Sequence, residues 1–174
     1  MLSSFSNYYG VRRMSNVLSG RYTANVSEPF VVFLIGMRVN RFWAMKRWLP
    51  VAKAMRPMLK SLSEDPEKGL LGVENFGRIW PIETCMVSYW RSFEDLTRFA
   101  RSQDDPHWAA WQRFMKEIGS DGSVGIWHET YRVDPADCEC IYGNMPAFGL
   151  AAATASIPIS EKTRTARGRM TAVR

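Results

Sequence analysis

Histidine and cysteine are scarce in this chain, with two of the first and three of the second among 174 residues. The thiols, Cys85, Cys138 and Cys140, are odd in number and lack framework spacing, which excludes a disulfide-stapled secreted domain and sets the expectation of a cytoplasmic protein. In an extended segment Cys138 and Cys140 share one side, but no second Cys/His pair accompanies them, so no zinc site is expected. His107 and His128 stand far outside a helical ligand spacing such as HExxH, and no metal is assigned. A Walker loop, GxGxxG after a strand, GxSxG and CxxC are also missing, and the glycines of GLLGVENFG fall at the wrong intervals. Chemistry driven by binding energy with no dedicated cofactor stays open. No apolar run reaches the roughly 18 residues of a membrane span, because VVFLIGM ends at Arg38.

Charge of one sign is missing where nucleic-acid binding would need it. The net charge is +6, but residues 160–174 account for +4 and residues 1–29 for +2. Residues 30–159 hold 15 basic and 15 acidic groups, which leaves no surplus for a phosphate-binding face. Nucleic acid is therefore not an expected partner.

What the chain has in quantity is apolar and aromatic surface: 46% hydrophobic residues, 13% aromatic, and seven Trp. That stock suits a core, a pocket or an interface. We read an N-terminal arm at 1–29 with a short strand near Val17 to Ala24, one domain at 30–155, and a basic C-terminal tail at 156–174. FVVFLIGMRV, residues 30–39, is apolar on both sides, as in a strand buried on both faces. Phe42, Met45, Trp48, Val51, Ala52, Met55, Leu59 and Leu62 recur at three and four, which predicts a helix over 42–62, bent by Pro50 and Pro57. Strands follow at 70–80 and 83–92 around Pro81, then helical runs at 93–102, capped by Ser92, and at 107–118. VGIWHETYRV, residues 124–133, is the last strand.

The order β-α-β-β-α-β predicts an α+β, ferredoxin-like antiparallel sheet with both helices on one face. Strands apolar on both sides need the second face covered, and the same face of another copy is the simplest cover, giving a homodimer. Residues 138–155 are too apolar for a tail and are expected to add an edge strand or clasp the partner.

Alternation puts His128 on a face with Ile126 and Thr130, and Trp127, Glu129 and Tyr131 on the other. VSYWRS puts Trp90 on one face and Tyr89 and Arg91 on the other. Trp90 suits a pocket wall and Arg91 a partner for a carboxylate or enolate oxygen. Structural roles compete in each case: core for Trp90, an ion pair for Arg91, a cap for His107, a hydrogen-bonded ring for His128. Trp90, Trp127, Tyr131 and His107 are the candidates for substrate contact.

The strings VSYWRSFEDLTRFARS, DPHWAAWQRF, GIWHETYRV and CIYGNMPAFGLAAA resemble a family of small fumagillin-pathway-like monooxygenases, also classed as a domain of unknown function. The resemblance spans about residues 20–155, with IWHETY and IYGNMP its most specific parts. It implies the dimeric α/β barrel superfamily, home of antibiotic-biosynthesis monooxygenases, haem-degrading enzymes and chlorite dismutases. The implied activity is oxygenation of an apolar substrate by O2 without metal or flavin, the substrate supplying the electrons. In that scheme His128 is the base or a hydrogen-bond partner, Trp90 the wall, and Arg91 or Asn144 a polar orienter. Two alternatives accompany it: a haem-binding barrel, an oxidase or dehydratase with a histidine as axial ligand, and a non-enzymatic module for a small hydrophobe.

Overall fold

A computed structural model describes residues 16–102, 108, 112, 114, 116 and 121–171. Its elements in chain order are β1 (Leu18–Ala24), β2 (Phe30–Val39), α1 (Met45–Glu64), β3 (Leu70–Arg78), β4 (Glu83–Trp90), α2 (Phe93–Arg101), β5 (Val124–Val133), β6 (Tyr142–Met145), α3 (Gly149–Ala153), β7 (Ser156–Pro158) and α4 (Ala166–Thr171). Residues 108, 112, 114 and 116 are helical, and the rest of the run expected at 107–118 lies outside the described residues.

Four strands form the large sheet in the order β3-β4-β2-β5, every pairing antiparallel. This is the ferredoxin-like arrangement. β2 is central because its residues are apolar on both faces, and β5, which carries His128, Glu129, Thr130 and Arg132 and is largely exposed, takes an edge. The register sets Ile35 between Met86 and His128, and Val32 between Tyr89 and Tyr131. α1 runs through Pro50 and Pro57 as one assigned helix of 20 residues. Ser92 caps α2, its Oγ accepting from the Asp95 amide at 3.0 Å, with Glu94 and Asp95 in the positive first turn. Such a cap contributes about 1 kcal/mol.

The helices cover one face of the sheet, where Val31, Met58, Leu59, Leu62, Leu70, Met86, Trp90, Leu96 and Phe99 form the main core. The other face is treated differently at its two ends. At one end Phe30 is buried with Ala24, Val26, Leu150 and Ala151, and Val32, Tyr89 and Val133 pack against them. The chain itself supplies this cover, through α3 and a three-stranded sheet of order β6-β1-β7. The N-terminal arm provides β1 and the C-terminal tail provides β7. α3 seats flush on β3 because Gly72 has no side chain: a Cβ there would lie 2.7 Å from that of Ala153. The tail is anchored by Arg169, whose buried guanidinium pairs with Glu139 and donates to the carbonyls of Thr163 and Arg164 at 3.0 and 3.1 Å. Residues 138–155 thus add an edge strand to the small sheet rather than to the large one.

Candidate functional site

A cavity of about 1300 Å³ lies between the large sheet and its helices. Strand alternation fixes its floor: Phe33 and Ile35 from β2, Met86, Ser88 and Trp90 from β4, and Ile126, His128 and Thr130 from β5. α1 supplies Leu49, Met55, Met58 and Leu62 at helical spacing, α2 supplies Phe93, Leu96 and Phe99, and Trp108 and Phe114 add two more rings. Four methionines among the lining residues give walls that conform to different apolar shapes.

The polar groups are few. Ser88 is fully buried and donates to the Phe33 carbonyl at 3.0 Å, while Trp90 Nε1 donates to Ser88 Oγ at 2.9 Å. This relay satisfies the indole N–H in place, so Trp90 presents only its apolar body, packed 5.5 Å from Phe99. His128 sits across from Ile35 with its ring 5.8 Å from that of Phe33. Lys46 and Lys53, on one face of α1, border the cavity, and no carboxylate is among its described lining residues. Developing negative charge therefore meets cations and an imidazole there, with no acidic neighbour to oppose it.

The structure brings His128 and Trp90 together on this cavity and places Arg91, Asn144, Trp127 and Tyr131 elsewhere. Arg91 does not line it: Nε donates to Asp95 Oδ2 at 2.7 Å and Nη2 to the Glu67 carbonyl at 3.2 Å. The Arg91 guanidinium, followed by burial against it and then by Arg98 and Ser92 in its favour, leaves the Asp95 carboxyl below its usual range. Asn144 lies in β6, with φ of 51°, and its Oδ1 accepts from the Gly20 amide at 2.9 Å, next to the bulge between Leu18 and Arg21. Trp127 and Tyr131 are on the opposite sheet face. The Trp127 indole lies over Gly36, where a Cβ would stand 2.4 Å from Nε1. The Tyr131 hydroxyl donates to Glu129 at 2.6 Å, and that carboxylate raises the phenol's pKa. His107 lies outside the described residues.

Ser88, Lys46 and Lys53 were not singled out in the sequence. Ser88 carries a signal, standing two residues before Trp90 on the same strand face, and the lysines stand seven apart on one helix face. Cysteine is not available as a nucleophile in the main site. Burial raises the pKa of both Cys85 and Cys138, keeping these thiols protonated, and neither lines the cavity. Among the described residues no cluster of His, Cys, Asp or Glu could hold a metal ion.

A four-stranded antiparallel sheet backed by helices, with an apolar hollow between them, defines a ferredoxin-like α+β fold. Residues 30–150 match the Monooxygenase af470-like family, more than half of the chain, and the protein belongs to it. No curated protein matches. Among solved structures, the aldoxime dehydratase OxdRE in complex with butyraldoxime is 18% identical with a TM-score of 0.59, over 83% of this chain and 41% of that one. This chain therefore spans about two fifths of that protein's length. SnoaB, a cofactor-independent oxygenase from Streptomyces nogalater, is 9% identical with a TM-score of 0.42, over 60% and 93% of the two chains. A dimeric ferredoxin-like protein from an uncultured marine organism is 10% identical, with a TM-score of 0.36 over 61% and 96%. At 18% identity, the likeness to the aldoxime dehydratase shows fold alone. Family membership makes the protein monooxygenase-like. No helix among the described residues is long and apolar enough to cross a membrane.

Proposed function

We propose that this protein is a cofactor-independent monooxygenase that oxidises an apolar, secondary-metabolite-like molecule with O2. The observation that carries the reading is an imidazole, His128, on the wall of a large apolar cavity whose described lining holds no carboxylate. O2 is apolar and partitions into such a space, and expulsion of water strengthens every polar contact inside it. The reaction balances without an external reductant. A methylene beside a π-system becomes a carbonyl while O2 is reduced, one oxygen entering the product and the other leaving as water. His128 takes the proton from the activated carbon, and the resulting anion is held near cationic groups. Trp90 walls the substrate. Arg91 and Asn144 receive no chemical role in this reading, because neither lines the cavity and Arg91 Nε and Nη2 and Asn144 Oδ1 bond elsewhere.

The test is O2 uptake against phenolic, polyketide and terpenoid panels, with 18O2 incorporation in the product. One labelled oxygen per turnover supports the reading. Ligands that bind, as read by Trp fluorescence, with no O2 uptake by any of them would identify a binding module instead.

The active form in this reading is a homodimer. The uncovered part of the opposite face, with Phe76 and Trp127 at the open end and Tyr131 on the β5 edge, is exposed in the single chain and is the surface we assign to the second copy. Light scattering at micromolar concentration should return twice the chain mass.

A haem reading is favoured by one juxtaposition, an imidazole in an apolar slot bordered by lysines. The residues fit that group in kind: His128 would hold the iron, and Lys46 and Lys53 would neutralise the carboxylates. When bound, haem would supply one-electron and O2 chemistry. A Soret band on haem addition that His128→Ala abolishes would favour it.

A further inference from the structure

At the end of the molecule formed by the β2–α1 connection and the β3–β4 turn, large apolar side chains project into solvent. Ile79 is 90% exposed, Trp43 81% and Trp80 74%. Their support is rigid. Val39 donates to the Ile82 carbonyl at 2.9 Å, the Asn40 and Arg41 amides donate to the Ser123 carbonyl at 3.0 and 3.2 Å, and Trp48 Nε1 donates to the Phe42 carbonyl at 3.1 Å. The Phe42 ring ties the two loops together, 6.1 Å from Trp80 and 6.4 Å from Trp48. A groove of about 260 Å³ runs between the loops, lined by Phe42, Trp43, Trp80 and Ile82 among others.

The surroundings are cationic. Arg38 and Arg78 flank Glu83 at 3.1 and 2.5 Å, Arg47 lies 3.6 Å from Asp121, and Arg41 and Lys46 sit on the same connection or its first helical turn. Five cations thus face two carboxylates. Projecting indole and aliphatic tips ringed by Arg and Lys match the chemistry of the membrane–water interface, where aromatic rings sit at headgroup depth and cations meet anionic lipid.

The geometry points to this tip as a docking surface for an anionic phospholipid bilayer, which would hold the protein on a membrane face without crossing it. A second copy is the poorer occupant, because self-pairing would set Arg38, Arg41 and Arg78 against their own counterparts. The position also suits the cavity. Met45, Lys46 and Leu49, which follow Trp43 directly, border it, so a docked molecule would turn that border toward apolar solutes dissolved in lipid. The inference stands on the surface alone and is tested by binding, so it survives or fails independently of the reaction proposed above.

The experiment is flotation of the full chain with vesicles of phosphatidylcholine and of phosphatidylcholine mixed equally with phosphatidylglycerol. We expect binding to the mixed vesicles, weakened by salt, with a blue shift of Trp emission. The double variant W43S/W80S, at positions too exposed to carry the fold, should lose at least about tenfold in vesicle affinity while keeping its circular dichroism. R41E should weaken binding in the same direction. Absence of binding to the mixed vesicles would overturn the inference. So would equal binding by W43S/W80S, which would assign the attraction to the basic tail. A smaller oligomer in W43S/W80S, with no vesicle binding by the native chain, would make the tip a contact between copies and would also overturn it.

Discussion

The two faces of the large sheet are made from alternate residues of the same four strands, yet one encloses a space and the other is filled or left bare. On the helix side, Phe33, Ile35, Met86 and Trp90 look into a cavity of about 1300 Å³. On the far side, Phe30, Val32, Tyr89 and Val133 are packed beneath α3 and the small sheet, while Phe76, Trp127 and Tyr131 stay exposed. The difference comes from the covering elements. The 20-residue α1 with its two prolines, together with α2, arches over the sheet, whereas the five-residue α3 settles onto Gly72 with no gap. The physics of burial is the same on both faces, and the length and seating of the cover decide whether a site exists.

The comparison is sharpest at β5, where His128 faces the cavity and Trp127 faces away. His128→Ala should cost about a hundredfold or more in kcat of O2 uptake, as expected for loss of a general base, with ligand binding largely kept. Trp127→Ala should weaken self-association in light scattering and, at protein concentrations where the variant is still dimeric, leave that rate unchanged. Equal effects of the two on turnover would break the assignment of the faces.

Trp90→Ala comes next, through stability. It removes the largest buried side chain and orphans the Ser88 acceptor, so we expect a loss of about 3–5 kcal/mol in urea unfolding. Trp90→Phe, which keeps most of the wall, should cost less and shift ligand affinity.

Asp95 sits beside the helix face rather than in the cavity, which makes it a test of scaffold against site. Asp95→Asn should cost about 1–3 kcal/mol, because a buried acceptor of charged hydrogen bonds is weakened, with no effect on chemistry. The carboxyl's folded pKa is lowered from its ordinary 3.8, chiefly by Arg91. Its contribution is therefore complete well above pH 3.8 and is lost as pH falls through the lower folded value. The native chain should lose stability in that acid window more steeply than the variant does.

The smallest effect belongs to the far face. Asn144→Ala removes one exposed hydrogen bond to Gly20 and should cost about 1 kcal/mol or less, with O2 uptake unchanged. A loss of turnover comparable to that of His128→Ala would return Asn144 to the site and undo the division drawn here.

Much of this was legible in the sequence because it is local. FVVFLIGMRV and VGIWHETYRV are the strands β2 and β5 at the boundaries their patterns mark, and Ser92 followed by Glu94 and Asp95 begins α2 as a cap and an acidic turn. Strand parity alone separated His128 from Trp127 and Trp90 from Tyr89. Arg91 illustrates the limit. Its spacing of four from Asp95 was visible, but whether it would face a substrate or fold back on that carboxylate depended on the turn at 91–92 and on the Glu67 carbonyl brought from another segment.

The amino-acid order by itself determined the alternation of the strands, the stripe and cap of the helices and hence the ferredoxin-like order, because each rests on residues within a turn or two of one another. Tertiary structure decided which strand face borders the hollow, that β1 of the N-terminal arm pairs with residues 142–145 on one side and with β7 on the other, and that Asn144 serves a bulge. Those outcomes depend on contacts between segments more than a hundred residues apart, such as Gly20 with Asn144 and Thr23 with Cys140, whose closure no local pattern records.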